Sequence, residues 1–227
     1  MKKGLLLSIL GMMVFVSASY GQTEMRPRAF ELGLYAAPTL NWFSSTEQYD
    51  NKGICLGGSY GLNVEINLFR TASNYYFHTG VNIHQFGGKL QYAYSDTSAS
   101  QTRFAIDKHN ITYVSIPTAI KLATNPILKD RFMVFGVFGL DNALRVSSTV
   151  KKDKDYNNKT VKNNDNTALF KESLLVTIGG EYVISGNTRL TAGVNFNFGF
   201  TNAFKKDFIG DETVQARTLG LQIGLIF

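Results

Sequence analysis

The segment Thr218-Leu219-Gly220-Leu221-Gln222-Ile223-Gly224-Leu225-Ile226-Phe227 alternates apolar with small or polar residues as far as Leu225. Leu219, Leu221, Ile223, Leu225 and Phe227 share one parity, while Thr218, Gly220, Gln222 and Gly224 share the other. A period of two is the signature of a β-strand whose two faces meet different environments. A helix would scatter these residues around its axis. The chain therefore needs a fold that gives each strand one greasy face and one polar, small-residue face.

The same pattern recurs upstream. Ile54, Leu56, Tyr60, Leu62, Val64, Ile66 and Leu68 oppose Cys55, Gly57, Ser59, Gly61, Asn63, Glu65 and Asn67. Val114, Ile116, Ile120 and Leu122 oppose Tyr113, Ser115, Ala119 and Lys121. Leu174, Val176, Ile178, Tyr182 and Ile184 oppose Thr177, Gly179 and Glu181, and Leu190 to Phe200 repeats the motif. Further strands are expected around 30–43, 75–94 and 131–150. The last is apolar on both parities early on, so its facing stays open.

The amino terminus supplies a compartment. Lys2 and Lys3 precede an apolar stretch from Leu5 to Val16, followed by Ser17-Ala18-Ser19-Tyr20-Gly21. That is the layout of a secretory signal peptide, and the apolar run is shorter than the roughly 20 residues of a spanning helix. Residues 1–21 are thus read as the signal peptide and 22–227 as one domain. The net charge of +6 includes Lys2 and Lys3 and is spread along the chain, which does not favour nucleic acid as a partner. The single cysteine, Cys55, cannot form an internal disulfide and is expected to face inward.

An exported chain with eight alternating strands and near-neutral hydropathy is expected to be all-β: an eight-stranded antiparallel up-and-down transmembrane β-barrel in the outer membrane. Residues 44–52, 95–108, 151–167 and 203–213 read as longer loops, and 70–73, 124–130 and 185–187 as shorter turns. With both termini periplasmic, the long loops face outward. A soluble lipocalin-like barrel is the structural rival, with its apolar face inside. The row Phe196, Phe198 and Phe200 is too bulky for that interior, and Gly57, Gly61, Gly179, Gly193, Gly199, Gly220 and Gly224 suit a crowded lumen instead. Aromatic girdles are expected at both interfaces: Phe30, Phe69, Tyr75, Phe77, Phe132, Tyr182 and Phe227 at one rim, with Trp42, Phe43, Tyr113, Phe198 and Phe200 at the other.

Glu65, His78, His84, Tyr113, Lys121 and Glu181 all take the inward parity and form the expected lumen polar cluster, with the two glutamates compensating Lys121. An eight-stranded barrel is just wide enough for such side chains to fill it, which argues against open diffusion. A nucleophile–histidine–acid set is conceivable with Ser59 or Ser115, but no catalytic motif is present, and His78 and His84 lack a clear third metal ligand. No enzyme activity, cofactor or metal is expected.

The segment Tyr113-Val114-Ser115-Ile116-Pro117-Thr118-Ala119-Ile120-Lys121-Leu122, with Gly199-Phe200-Thr201-Asn202, resembles the PorT-like outer-membrane β-barrel proteins of Bacteroidetes. The resemblance runs over essentially the whole mature chain. It implies an eight-stranded barrel, and the namesake is associated with type IX protein secretion and gliding. The implied function is a non-enzymatic, partner-binding envelope component; a surface adhesion or binding barrel and a small channel are the alternatives. The expected partners are outer-membrane lipid and lipopolysaccharide, the barrel assembly machinery and secretion-system proteins. Leu219, Leu221, Ile223, Leu225 and Phe227 would then form the carboxyl-terminal assembly signal. Candidate docking residues are Tyr92 and Tyr94, with Phe204 and Phe208 in the 203–213 loop. In the fourth strand Pro117 removes a ladder donor, so a bulge or irregular pairing is expected there.

Overall fold

The computed structural model describes residues 28–45, 49–69, 74–96, 101–127, 131–152 and 160–227. The signal-peptide expectation on residues 1–21 lies outside them. The strands are β1 (Phe30–Ser45), β2 (Tyr49–Asn67), β3 (Tyr75–Asp96), β4 (Gln101–Ala123), β5 (Phe132–Lys151), β6 (Thr160–Lys162), β7 (Phe170–Ser185), β8 (Thr188–Gly199) and β9 (Val214–Ile226). A single helical turn, α1 (Lys206–Ile209), precedes β9. Neighbours pair antiparallel in the order β4-β3-β2-β1-β9-β8-β7-β5, and β4 pairs with β5, which closes an eight-stranded barrel. Three-residue β6 adds to the top of β5, where β7 has ended.

Faces follow the alternation. Leu56, Leu62, Ile178, Val194, Leu221 and Ile223 stand exposed on the outer wall. Glu65, Asn63, Ser115, Lys121, Thr177 and Glu181 are buried inside, as is Cys55. A soluble barrel would carry the reverse arrangement, and so continuous an exposed apolar belt demands lipid. On β9, Leu219, Leu221 and Ile223 are exposed and Leu225 and Phe227 half-buried, all on the expected outer parity. The inward glycines fit their crowded face; a methyl group on Gly88 would run into the Phe43 ring.

Several expectations change. Residues 44–52 and 95–108 are mostly strand, because β2 begins at Tyr49 and β4 at Gln101. Polar sequence there marks solvent around paired strands, not a lack of pairing. Spanning takes only about 9–11 residues, so the 22-residue β3 and 23-residue β4 rise well beyond the bilayer. Together with β6 and the segment before β9 they build a crown. Phe43 and Tyr113 are fully buried inside the barrel and do not belong to a girdle. Tyr92 and Tyr94 belong to β3, but their side chains fall outside the described part of the structure.

Pro117 causes irregular pairing without a bulge. It stays in register with Asp141 of β5. Across β3, the ladder runs from Tyr75↔Leu122 to His78↔Ala119 and resumes at Asn82↔Ser115 with unchanged register. The gap falls opposite Gly80, whose φ of 152° is open to glycine. The bulge lies elsewhere. Thr112 pairs with Ser147 and Tyr113 with Arg145, leaving Val146 as the extra residue. This bulge settles the facing of β5: Met133, Phe135, Val137, Asp141 and Ala143 point inward below it, and Ser148 and Val150 above it.

Candidate functional site

The lumen is filled in three layers. The lowest is an ion network assembled from five strands and a turn-proximal arginine. Glu31 of β1, Glu65 of β2, His78 of β3, Lys121 of β4, Glu181 of β7 and Arg189 of β8 are all buried. Lys121 Nζ donates to Glu65 Oε1 and Oε2 at 2.8 and 2.6 Å, and also to Glu181. Arg189 forks onto Glu31, with Nη1 3.2 Å from Oε1, and its Nε lies 2.8 Å from Glu181 Oε2. His78 Nδ1 stands 3.6 Å from Glu65. Lys121, at 1% exposure, also lies over the Phe135 ring at 5.0 Å. Charges taken out of water need this density of partners.

Of the six expected cluster residues, the structure brings Glu65, His78, Lys121 and Glu181 into this one network. His84 and Tyr113 sit higher. The reading of the sequence missed Glu31 and Arg189. Both lie on the inward parity of their strands, and a charge at such a position is the signal that identifies a network member.

The middle layer is polar and mostly neutral. His84 Nε2 lies 2.9 Å from Ser115 Oγ and 3.5 Å from Asp141 Oδ2. Asn197 Nδ2 donates to Asp141 at 3.2 Å, and Tyr35 and Ser59 share a 2.9 Å hydrogen bond. Lys171 stands over the Tyr113 ring at 5.3 Å. A serine, a histidine and an aspartate thus meet, but both partners engage the same imidazole nitrogen. A catalytic relay needs the acid on the opposite ring nitrogen, orienting the base toward the nucleophile. Among the described residues, cavities of about 30 and 20 Å³ lie in the lumen, each of single-water size. Among the described residues no three His, Cys, Asp or Glu side chains are placed to hold a metal ion.

The top layer is an apolar plug. Phe43, Phe86, Leu90, Ile111, Tyr113, Val214 and Ala216 form one buried cluster, and Phe204 enters it from the segment before β9. Phe43 packs against Phe86 at 5.0 Å and Phe204 at 5.4 Å. Phe204 is 1% exposed and therefore offers no surface to a partner; Phe208 leans on the same cluster. His109 borders the plug, 4.8 Å from the Phe204 ring.

The sequence profile of the outer membrane protein beta-barrel domain family matches residues 20–205. No curated protein matches the chain. Among solved structures it is similar to Neisserial surface protein A, at 13% identity and TM-score 0.46, covering 88% of this chain and 96% of that one. It is similar to the outer membrane protein OprG from Pseudomonas aeruginosa at 10% identity and TM-score 0.46, covering 91% and 99%. It is also similar to Ail, the attachment invasion locus protein of Yersinia pestis, at 12% identity and TM-score 0.40, covering 87% and 97%.

Proposed function

The chain belongs to the outer membrane protein β-barrel domain family, and from that premise we propose that it is a non-conducting, non-catalytic barrel that binds envelope partners and assists protein export or gliding. The filled lumen carries this reading. An ion network, a polar layer and an aromatic plug fill it, and the cavities seen between them among the described residues are about 30 and 20 Å³. The shared nitrogen of His84 gives a hydrolase no relay. What remains for function is the outside: a lipid-facing wall and a tall crown. Residues 1–21 would direct the chain across the inner membrane and be removed. The choice of export and gliding over simple adhesion rests on the PorT-like resemblance of Tyr113–Leu122.

Two measurements test this reading. Purified protein in planar bilayers should give no stable conductance, and gene deletion should impair surface-protein export or gliding while small-solute uptake stays normal. Steady single-channel currents would point to a channel. Normal export and motility with lost attachment would point to an adhesin.

A further inference from the structure

The crown holds a cavity of about 240 Å³ where β4, β5 and β6 rise above the bilayer. Val150, Val161 and Phe208 give it apolar walls. His109 forms its inner side, buried and set against the aromatic plug, with Phe43 6.1 Å away. Asn163 Nδ2 lies 3.4 Å from His109 Nδ1, and Asn166 Nδ2 donates to Asn163 Oδ1 at 2.9 Å. These amides lock the lining before any ligand arrives, which lowers the ordering cost of binding.

The charge of the lining is one-sided. Lys152 and Lys162 border the cavity, both exposed, and neither has an ion-pair partner among the described residues. Asp107, buried, is the carboxylate among the described lining residues. Burial, and then the charge of Lys152, push the His109 imidazole down to about 4, so it is neutral at physiological pH. Among the described lining residues, cationic side chains outnumber acidic ones.

We propose that this cavity binds a small organic anion, one carboxylate carried on a compact apolar ring. The two lysines on the lining favour an anion, and the carboxylate of Asp107 in the same lining disfavours a doubly charged one such as a phosphate dianion. The volume lies under the about 300–1,000 Å³ of drug-sized sites, which limits the ligand to one ring. Phe208 and the two valines would cover that ring, and the lysines would meet the carboxylate as mobile point charges. The site goes beyond the partner-binding reading and needs only a folded crown.

Benzoate and its neutral isostere benzamide, titrated against the full barrel in lipid nanodiscs and followed by ligand-observed NMR, test it. Benzoate should bind saturably and roughly ten-fold more tightly than benzamide. The double variant Lys152→Met/Lys162→Met should lose that preference. Both lysines are exposed, so the barrel should still fold, which heat-modifiable gel migration checks. Phe208→Ala should weaken both probes. Equal binding of benzoate and benzamide, a preference that survives the double lysine variant, binding unaffected by Phe208→Ala, or no saturable benzoate binding would each overturn the proposal.

Discussion

At the scale of single residues, the lumen network sets the sharpest expectations. Lys121 holds two carboxylates at once, so Lys121→Met leaves Glu31, Glu65 and Glu181 with Arg189 as their one remaining lysine or arginine in the network. Breaking one side of a buried pair costs about 3–5 kcal/mol. Adding Glu65→Gln removes one of the excess negative charges, so the double variant should be more stable than Lys121→Met alone in reversible denaturant unfolding from lipid vesicles. Strictly additive losses would show the pair to be uncoupled. Above the membrane, His109 sets a pH dependence. Its folded-state value is pushed from 6.5 down to about 4, first by burial and then by Lys152. As pH falls below 6.5 the unfolded chain gains a proton that the folded one refuses, so stability drops until the pH reaches the folded value. The loss should be about 2 kcal/mol by pH 5. Thermal melts of the wild type and His109→Phe at pH 7.5 and 5 check this; equal acid sensitivity of the two would exclude His109 as the cause.

At the scale of strands, parity decides where a charge is tolerated. Leu62 on β2 and Val194 on β8 stand on the outer wall, at 56% and 46% exposure. An arginine at either, near the bilayer middle, should cost roughly 2–4 kcal/mol in vesicle unfolding. Their neighbours Asn63 and Asn195 border lumen cavities too small for an arginine, so Asn63→Ser is the fitting inward comparison and should be far milder. Equal damage from Leu62→Arg and Asn63→Ser would contradict the facing. The faces of β2, β4, β7, β8 and β9 were legible in the sequence because lipid and lumen impose opposite chemistry on alternate residues. That of β5 was not. Its inner residues Met133, Phe135 and Val137 are as apolar as its outer ones, since Phe135 and Val137 pack on Ala119. The Val146 bulge then switches parity. The polar lumen cluster was legible in part, and Asp141 stayed hidden within that same unreadable strand. The crown was misread as loops because its polar residues give no hint that their backbones remain paired.

At the scale of the whole molecule, the orientation of the barrel fixes what the cell exterior can touch. The described chain ends meet at one end of the barrel, where Gly33 pairs with Ile226, beside the Gly186-Asn187 turn. The crown rises from the opposite end. Short turns belong in the periplasm and long excursions outside, so the crown faces the medium. Lys151, Lys152 and Lys162 are exposed on it. Lys154 and Lys159, between them, lie outside the described residues. Trypsin added to intact cells should therefore cut within 151–162. The nick falls above the ladder that joins β5 to β7 from Phe132↔Tyr182 to Leu144↔Phe170. Both fragments keep every membrane-level pairing, and their inner faces still share the Lys121–Glu181 bridge. The nicked protein should thus migrate as one folded species in unheated detergent gels and split into two bands only on boiling. Protection in intact cells with cleavage after outer-membrane rupture would invert the topology, and separation of the fragments without heating would show that the crown, not the barrel wall, holds the two halves together.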